Sequence, residues 1–315
     1  MVVGIHISVI MPAYDEAPNL AEVVPRTVAV LEGMGTTYEL VVVDDGSTDA
    51  TPEVMAELVE RLPGVRHLRL RRNCGKSAAL QAGFERTEGE VVVLMDADGQ
   101  DDPSAVPELV GTLGHGVDLV TGRRLVRHDR MVKRSTSKLY NRVTAMVTGV
   151  SGRDFNSGLK AMTRRVADAL ELYGELHRYV PVLAAWAGFR VSEVDVAHHP
   201  RLHGATKFSR SRFWRGFLDL LTVKFLTTYT ARPFHLFGGI GVAIGGLGSV
   251  LLVWMGISKL LGNPVGERPA LLIGVLLVVV GVQLVSLGLL AELVVHYRRP
   301  RSSDVLVEEV ARGGR

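Results

Sequence analysis

The sequence predicts an α/β domain with a mostly parallel sheet, followed by a helical tail that enters a membrane. Three observations predict it. Apolar runs rich in Val and Ile alternate with charged, helix-like stretches through the first two-thirds of the 315 residues. Polar clusters stand at the ends of three of these runs, and the stretch from Pro233 to Leu293 carries almost no charge.

The apolar runs are Ile7–Met11, Leu40–Val43, Val65–Leu70, Val91–Met95 and Val117–Val120; the helical patterns between them are Asn19–Leu31, Thr51–Leu62, Ser77–Arg86 and Pro103–Leu113. Continuous apolar strands between amphipathic helices indicate a largely parallel sheet covered on both faces. In such sheets a ligand sits beyond the carboxyl ends of the strands. Those ends carry Pro12-Ala-Tyr-Asp-Glu16, Asp44-Asp-Gly-Ser-Thr48 and Asp96-Ala-Asp98.

Two apolar segments follow, Phe234–Ile257 and Ala270–Leu293, each about 24 residues long. That suffices to cross a hydrocarbon core of about 30 Å as a helix. Gly262-Asn-Pro-Val-Gly266 separates them, so they read as a hairpin. Gly238, Gly239, Gly241, Gly245, Gly246 and Gly248 give the first a small-residue face suited to close helix packing. Lys224 and Arg232 precede the pair and Arg298, Arg299 and Arg301 follow it. The positive-inside tendency places both termini in the cytoplasm, although Lys259 and Arg268 in the connection pull the other way. Between the two regions, residues 208–232 carry Phe213, Trp214, Phe217, Leu218, Leu221, Phe225 and Leu226 at helical spacing among Arg210, Arg212, Arg215 and Lys224. An amphipathic helix in the membrane interface fits this pattern, as does one packed on the α/β domain. The expected division is residues 1–207, 208–232, 233–295 and a cytoplasmic tail, 296–315.

The net charge of +3 argues for no particular partner, and no nucleic acid is expected. Its distribution is more telling. Arg123, Arg124, Arg127, Arg130, Lys133, Arg134, Lys138 and Arg142 cluster with Asp129 as the sole carboxylate among them. Such a block suits a phosphate-rich ligand or an anionic membrane surface, and equally a solvated helix face. The single cysteine, Cys74, excludes an internal disulfide framework and fits a reducing compartment. The segment Ile5–Pro12 lacks the cationic lead of a signal peptide. Whether the chain forms a homo-oligomer stays open.

Alternate residues of an extended chain point the same way, so Asp96 and Asp98 can face one ligand from a strand tip. Oxygen ligands suit Mg²⁺ or Mn²⁺, which takes one or two carboxylates together with substrate phosphates. Gln100 offers another oxygen two residues on. Asp44 and Asp45 on a strand expected to neighbour this one strengthen the reading.

These motifs, with Arg72-Asn-Cys-Gly-Lys-Ser-Ala-Ala79, resemble the ordered motifs of family 2 glycosyltransferases with the GT-A fold. Asp154-Phe-Asn-Ser-Gly158 and Arg201-Leu-His-Gly-Ala-Thr-Lys207 resemble the polyprenyl-phosphate branch of that family, and the tail is similar to its membrane-anchored bacterial members. The resemblance implies that Pro12, Tyr14, Glu16, Val43 and Asp45 line the base and ribose of a UDP- or GDP-hexose. Asp96, Ala97 and Asp98 would meet ribose and diphosphate, with Asp98 and Gln100 holding the metal. Arg123, Arg201 and Lys207 would engage phosphate, donor or acceptor, the acceptor being a polyprenyl (undecaprenyl-type) phosphate. Asp154 is either a base or an orienting partner of arginines. Gly99 departs from the family pattern, where Leu is common, and is expected to loosen the loop carrying Gln100. A phosphate monoester is largely anionic at neutral pH, its second pKa lying near 6. Such an acceptor calls for cations to position it more than for a base.

Other readings fare less well. Cys74-Gly-Lys-Ser77 resembles the end of a P-loop, but position 70 is Leu where that motif needs Gly. The dinucleotide fingerprint after the first strand is missing. A processive or other-acceptor family 2 enzyme is the alternative; a polymerising synthase would need further membrane helices and a Gln-x-x-Arg-Trp-type motif. A membrane scaffold with a degenerate domain is answered by the intact Asp96, Asp98, Arg201 and Lys207.

Overall fold

The computed structural model describes residues 7–114, 116–124, 154, 157–200, 233–262 and 269–298. Arg201, Lys207, the 208–232 segment and the basic residues from Arg127 to Arg142 lie outside them.

The elements run β1 (Ile7–Ala13), α1 (Ala17–Gly33), β2 (Tyr38–Asp44), α2 (Thr51–Arg61), β3 (Val65–Arg69), α3 (Lys76–Phe84) and β4 (Val91–Leu94). A 3₁₀ turn (Pro103–Ala105) leads into α4 (Val106–Thr112), then β5 (Leu119–Arg124), β6 (Lys160–Thr163) and α5 (Arg164–Ala169). A second 3₁₀ turn (Leu176–Tyr179), α6 (Val180–Trp186) and β7 (Val191–Val196) complete the domain. Among the described residues seven strands form one sheet in the order β3-β2-β1-β4-β6-β5-β7, so β2 and β4 are not the neighbours expected but are separated by β1, which pairs with both. All pairings are parallel except those of β6, which runs antiparallel to both β4 and β5. The sheet is therefore mixed but mostly parallel.

Strand composition explains the layers. The Val and Ile side chains of β1, β2 and β4 are buried on both faces, as a sheet covered on both sides requires. Leu20, Val23, Val24, Val28 and Leu31 of α1 join the core. Gly83 sets the depth at which α3 packs: a Cβ there would stand 2.5 Å from Cγ2 of Ile10. In-register pairing from Ile7↔Tyr38 to Ala13↔Asp44 brings the ends of β1 and β2 level. Met95 N–H donates to Ile10 O at 3.2 Å, and the chain leaves the sheet just beyond, at Asp96. All three polar clusters thus emerge at one edge.

The tail forms α7 (Pro233–Leu260) and α8 (Pro269–Arg298), with mean hydropathies of 2.1 and, for Pro269–Val294, 2.7. Both are long and apolar enough to cross a membrane. They pack on each other through glycines. A Cβ on Gly241 would stand 2.7 Å from Gly281 O, one on Gly248 2.8 Å from Gly274 O, and one on Gly281 2.6 Å from Gly245 Cα. The expected small-residue face divides: Gly238, Gly241, Gly245 and Gly248 meet the partner helix, whereas Gly239 and Gly246 open outward. Glu292 accepts from Phe234 N–H at 3.2 Å, satisfying a backbone donor in the first turn of α7.

Candidate active site

The loops after β1 and β2 are stitched together. Asp15 has φ +54°, a left-handed backbone that Asp tolerates better than most residues. Its N–H donates to Ser47 Oγ at 2.9 Å, and its Oδ1 accepts from Thr48 N–H at 2.8 Å and Thr48 Oγ1 at 3.3 Å. Glu16 N–H donates to Thr51 Oγ1 at 3.1 Å and Ala17 N–H to Asp49 Oδ2 at 3.2 Å. This fixes the turn on which Tyr14 and Glu16 stand.

The neighbouring aspartates of β2 divide their work. Buried Asp44 closes its own turn by accepting from Ser47 N–H at 2.7 Å and pairs with Arg69 at 3.3 Å. Asp45 accepts from Cys74 N–H at 2.7 Å and Gly75 N–H at 2.8 Å, which seats the start of α3 beside the cleft. Cys74 itself is a free, exposed thiol.

Beyond β4 the carboxylates meet two lysines, half-buried Lys76 and buried Lys160. Asp96 is ion-paired to Lys76, the first residue of α3. Burial opposes the Asp96 charge, but Lys76 and then Lys160 hold its pKa below the usual carboxylate range. Asp101 is buried and accepts from Asp96 N–H at 3.2 Å. Burial, then the charges of Asp96 and Asp98, push its pKa up to about 7. Lys160 lies buried at the start of β6, opposite Leu94, and donates to Ser157 O. Burial, then Lys76, push it down to about 8, against the pull of Asp96, Asp154 and Asp101. Gly158 allows this segment its close approach, since a Cβ there would stand 2.6 Å from Asp96 Cγ and Asp101 Oδ2. His177 Nδ1 is hydrogen-bonded to Ser77 Oγ at 3.0 Å, and the His177 backbone N–H donates to that oxygen at 3.1 Å. Burial, then Lys76, push its pKa down to about 2, so the ring is neutral.

The two arginines at the end of β5 go separate ways. Arg123 forms a bidentate pair with Asp195, its register partner on β7. Arg124 turns inward to buried Asp154, with bonds of 2.7 and 2.8 Å. Burial disfavours the Arg124 charge, but Asp154 and then Asp101 and Asp96 more than restore it, raising the pKa. The arginine that shares the carboxylate cluster is thus Arg124, paired through Nε and Nη2 with Asp154.

Pro12, Tyr14, Glu16, Asp45, Asp96, Ala97 and Asp98 line one cleft of about 200 Å³, joined by Ala13, Lys76 and Ala79. Val43 is buried in β2 behind it. Gln100 is not part of this lining: its N–H donates to Asp98 Oδ1 at 3.1 Å and its carboxamide nitrogen to His199 O at 3.4 Å. Gly99 has φ +73°, which glycine adopts without strain, and it stands in the turn that the Gln100-to-Asp98 bond closes. His199 N–H in turn donates to Gln100 O at 2.9 Å, bringing the segment just before Arg201 alongside this loop. Among the described residues no three His, Cys, Asp or Glu side chains converge as a complete metal site. Asp98 in the cleft fits an ion that takes one or two carboxylates and completes its shell with phosphate and water.

Sequence reasoning missed Lys76, Asp101, Arg124, Lys160 and His177. A lone Lys in the apolar run Leu159-Lys-Ala-Met162 was the available signal for one of them.

Fold and cleft define a GT-A-type α/β domain. Glucosyl-3-phosphoglycerate synthase from Mycobacterium tuberculosis superposes with a TM-score of 0.55 at 21% identity, covering 71% of this chain and 80% of that one. The same enzyme solved with Mn²⁺ and UDP-glucose gives 0.54 at 22%, covering 71% and 79%. At that identity the likeness shows the fold. Residues 8–171 match the family model described as glycosyl transferase family 2. Dodecaprenyl-phosphate galacturonate synthase from Rhizobium johnstonii is 35% identical over 98% of this chain and 93% of its own. Undecaprenyl-phosphate 4-deoxy-4-formamido-L-arabinose transferase from Edwardsiella ictaluri is 35% identical over 91% and 87%. The chain belongs to glycosyltransferase family 2, and it is a glycosyltransferase.

Proposed function

We propose that the enzyme transfers a hexose, with inversion, from a UDP- or GDP-linked donor to an undecaprenyl-type polyprenyl phosphate at the cytoplasmic face of the membrane. The observation that carries this reading is the near full-length match, tail included, to a relative named for a dodecaprenyl-phosphate product. The second relative is likewise named for a polyprenyl phosphate. The apolar hairpin supports it, because an acceptor whose tail stays in the bilayer is reached only by a site held at its surface.

In this reading Pro12, Tyr14, Glu16 and Asp45 seat the nucleoside, with Val43 as the floor behind them, and Lys76 meets the diphosphate. Asp98, with Gln100, would hold Mg²⁺ or Mn²⁺, which supplies Lewis-acid stabilisation of the departing nucleoside diphosphate. Arg124, held by Asp154, presents positive charge toward the reacting phosphates, and Arg123, Arg201 and Lys207 receive the acceptor head. The acceptor oxygen attacks the anomeric carbon from the face opposite the leaving group. Residues 1–207 form the catalytic domain, 208–232 an interfacial helix, 233–295 the anchor and 296–315 a cytoplasmic tail. The deciding experiment is a screen of radiolabelled UDP- and GDP-sugars against undecaprenyl phosphate in detergent with Mg²⁺ or Mn²⁺. Absence of a lipid-linked product from every donor would reject the acceptor.

Two further results are expected. Asp15→Ala removes the acceptor that holds the Tyr14–Glu16 turn and should weaken nucleotide binding about tenfold. Asp15→Asn keeps an acceptor and tolerates left-handed backbone, so calorimetric titration with UDP or GDP should find it near wild type. Removing the chain after Arg232 should leave a folded domain that uses a short, water-soluble polyprenyl phosphate as well as the full chain does. Its activity on long-chain acceptor in membranes should fall, because the anchor no longer raises the effective acceptor concentration. Equal loss on both acceptors would make the hairpin part of the catalytic fold.

A further inference from the structure

α8 carries one group that its role as an anchor does not explain. Gln283 lies at the middle of this 30-residue helix and is exposed. The seam with α7 runs through Gly274, Gly281 and Gly288. At about 100° per residue, Gln283 lies about 200° around the helix from Gly281 and Ser286 about 140°, so both face away from the seam. Val279 and Leu290 share that face and are 47% and 60% exposed. Among the described residues the Gln283 carboxamide has no hydrogen-bond partner.

At the depth of the helix midpoint there is no water to satisfy an amide, and leaving it unbonded is costly. Lipid tails offer it nothing. A carboxamide is donor and acceptor at once, so two copies related by a twofold axis satisfy each other through a pair of N–H···O bonds. Ser286, one turn on, is small enough to let two backbones approach and adds a hydroxyl to the same face. We propose that the Val279–Gln283–Ser286–Leu290 face of α8 binds a second copy of this chain within the membrane, around a symmetric Gln283–Gln283 pair. This rests on the reading that α7 and α8 span the bilayer.

Cysteine crosslinking of the full chain in isolated membranes tests it, after the only native cysteine is removed as Cys74→Ser. Val279→Cys and Leu290→Cys lie on the proposed contact. Leu289→Cys is 56% exposed but about 80° from Gly281, on the flank of the hairpin. Mild oxidation should give covalent dimer from the first two and little from the third. Adding Gln283→Leu should cut the dimer yield about tenfold, and Gln283→Asn should restore part of it. Leucine is at least as compatible with insertion as glutamine, so that loss would not reflect misfolding. Equal crosslinking at all three positions, none at any, or a yield indifferent to Gln283→Leu would overturn the proposal; so would capture of a different membrane protein at Val279→Cys. Release of the chain by alkaline carbonate would overturn the membrane reading and the proposal together, whereas a chain that stays in the membrane as a monomer would overturn the proposal alone.

Discussion

Replacing Arg124 with alanine is expected to destabilise the protein by about 3–5 kcal/mol, the cost of stranding a buried charge. Asp154 is 2% exposed and is bonded through both oxygens to the guanidinium. Removing that partner takes away the guanidinium that satisfies both carboxylate oxygens, while Lys160, which also feels the Asp154 charge, is bonded to Ser157 O. Arg124→Lys keeps the charge but loses the planar fork, so it should recover only part of the loss. Arg123→Ala should change stability little, because the Arg123–Asp195 pair is at the surface. Thermal unfolding of the three variants in detergent checks the order. A melting temperature for Arg123→Ala as low as that for Arg124→Ala would mean that β5 turns its two arginines the other way round.

Asp98→Ala should lower turnover about a thousandfold while leaving the melting temperature near that of the wild type. Asp98 lines the cleft, and its described bond to Gln100 N–H closes a local turn and not a core contact. EDTA should cause a comparable loss in the wild type, reversed by Mg²⁺ or Mn²⁺. Asp96→Ala, by contrast, should lose stability as well as activity, since it leaves Lys76 and Lys160 crowded together without their shared carboxylate. Full turnover in EDTA would remove the metal from the reaction and leave the diphosphate charge to Lys76 and the arginines.

The first half of the domain was legible because each strand there is a continuous apolar run and each ends in a polar motif. Ile7–Met11, Leu40–Val43 and Val91–Met95 all lie in strands or at their ends, and Asp45, Asp96 and Asp98 line one cleft. β6 and β7 were not legible. Lys160–Thr163 is too short for a period and begins with a charge, and Val191–Val196 reads as a polar alternation because it lies at the sheet edge. The arginines show the same limit at finer scale. Adjacent residues of a strand face opposite sides, so choosing Arg123 over Arg124 required knowing which side held Asp154 and Asp101. Sequence order carries no such sign. The polar cluster behind the cleft was invisible for a related reason: Lys76, Asp96, Lys160 and His177 come from four separate segments, and only the crossing of those segments makes them neighbours.

The reversed direction of β6 also bears on how the chain comes off the ribosome. Strands β1 to β4 can assemble in the order in which they emerge, but β5 appears before β6 and belongs on its far side. Until residues 160–163 are available, β4 presents an open edge and β5 has no strand to join it to the sheet. Asp96 would meanwhile face outward without Lys160. A nascent chain halted before residue 160 should therefore be the form most prone to pair with the wrong neighbour, and arrival of one four-residue strand should join β5 to β4 and bring Lys160 to Asp96 in a single step.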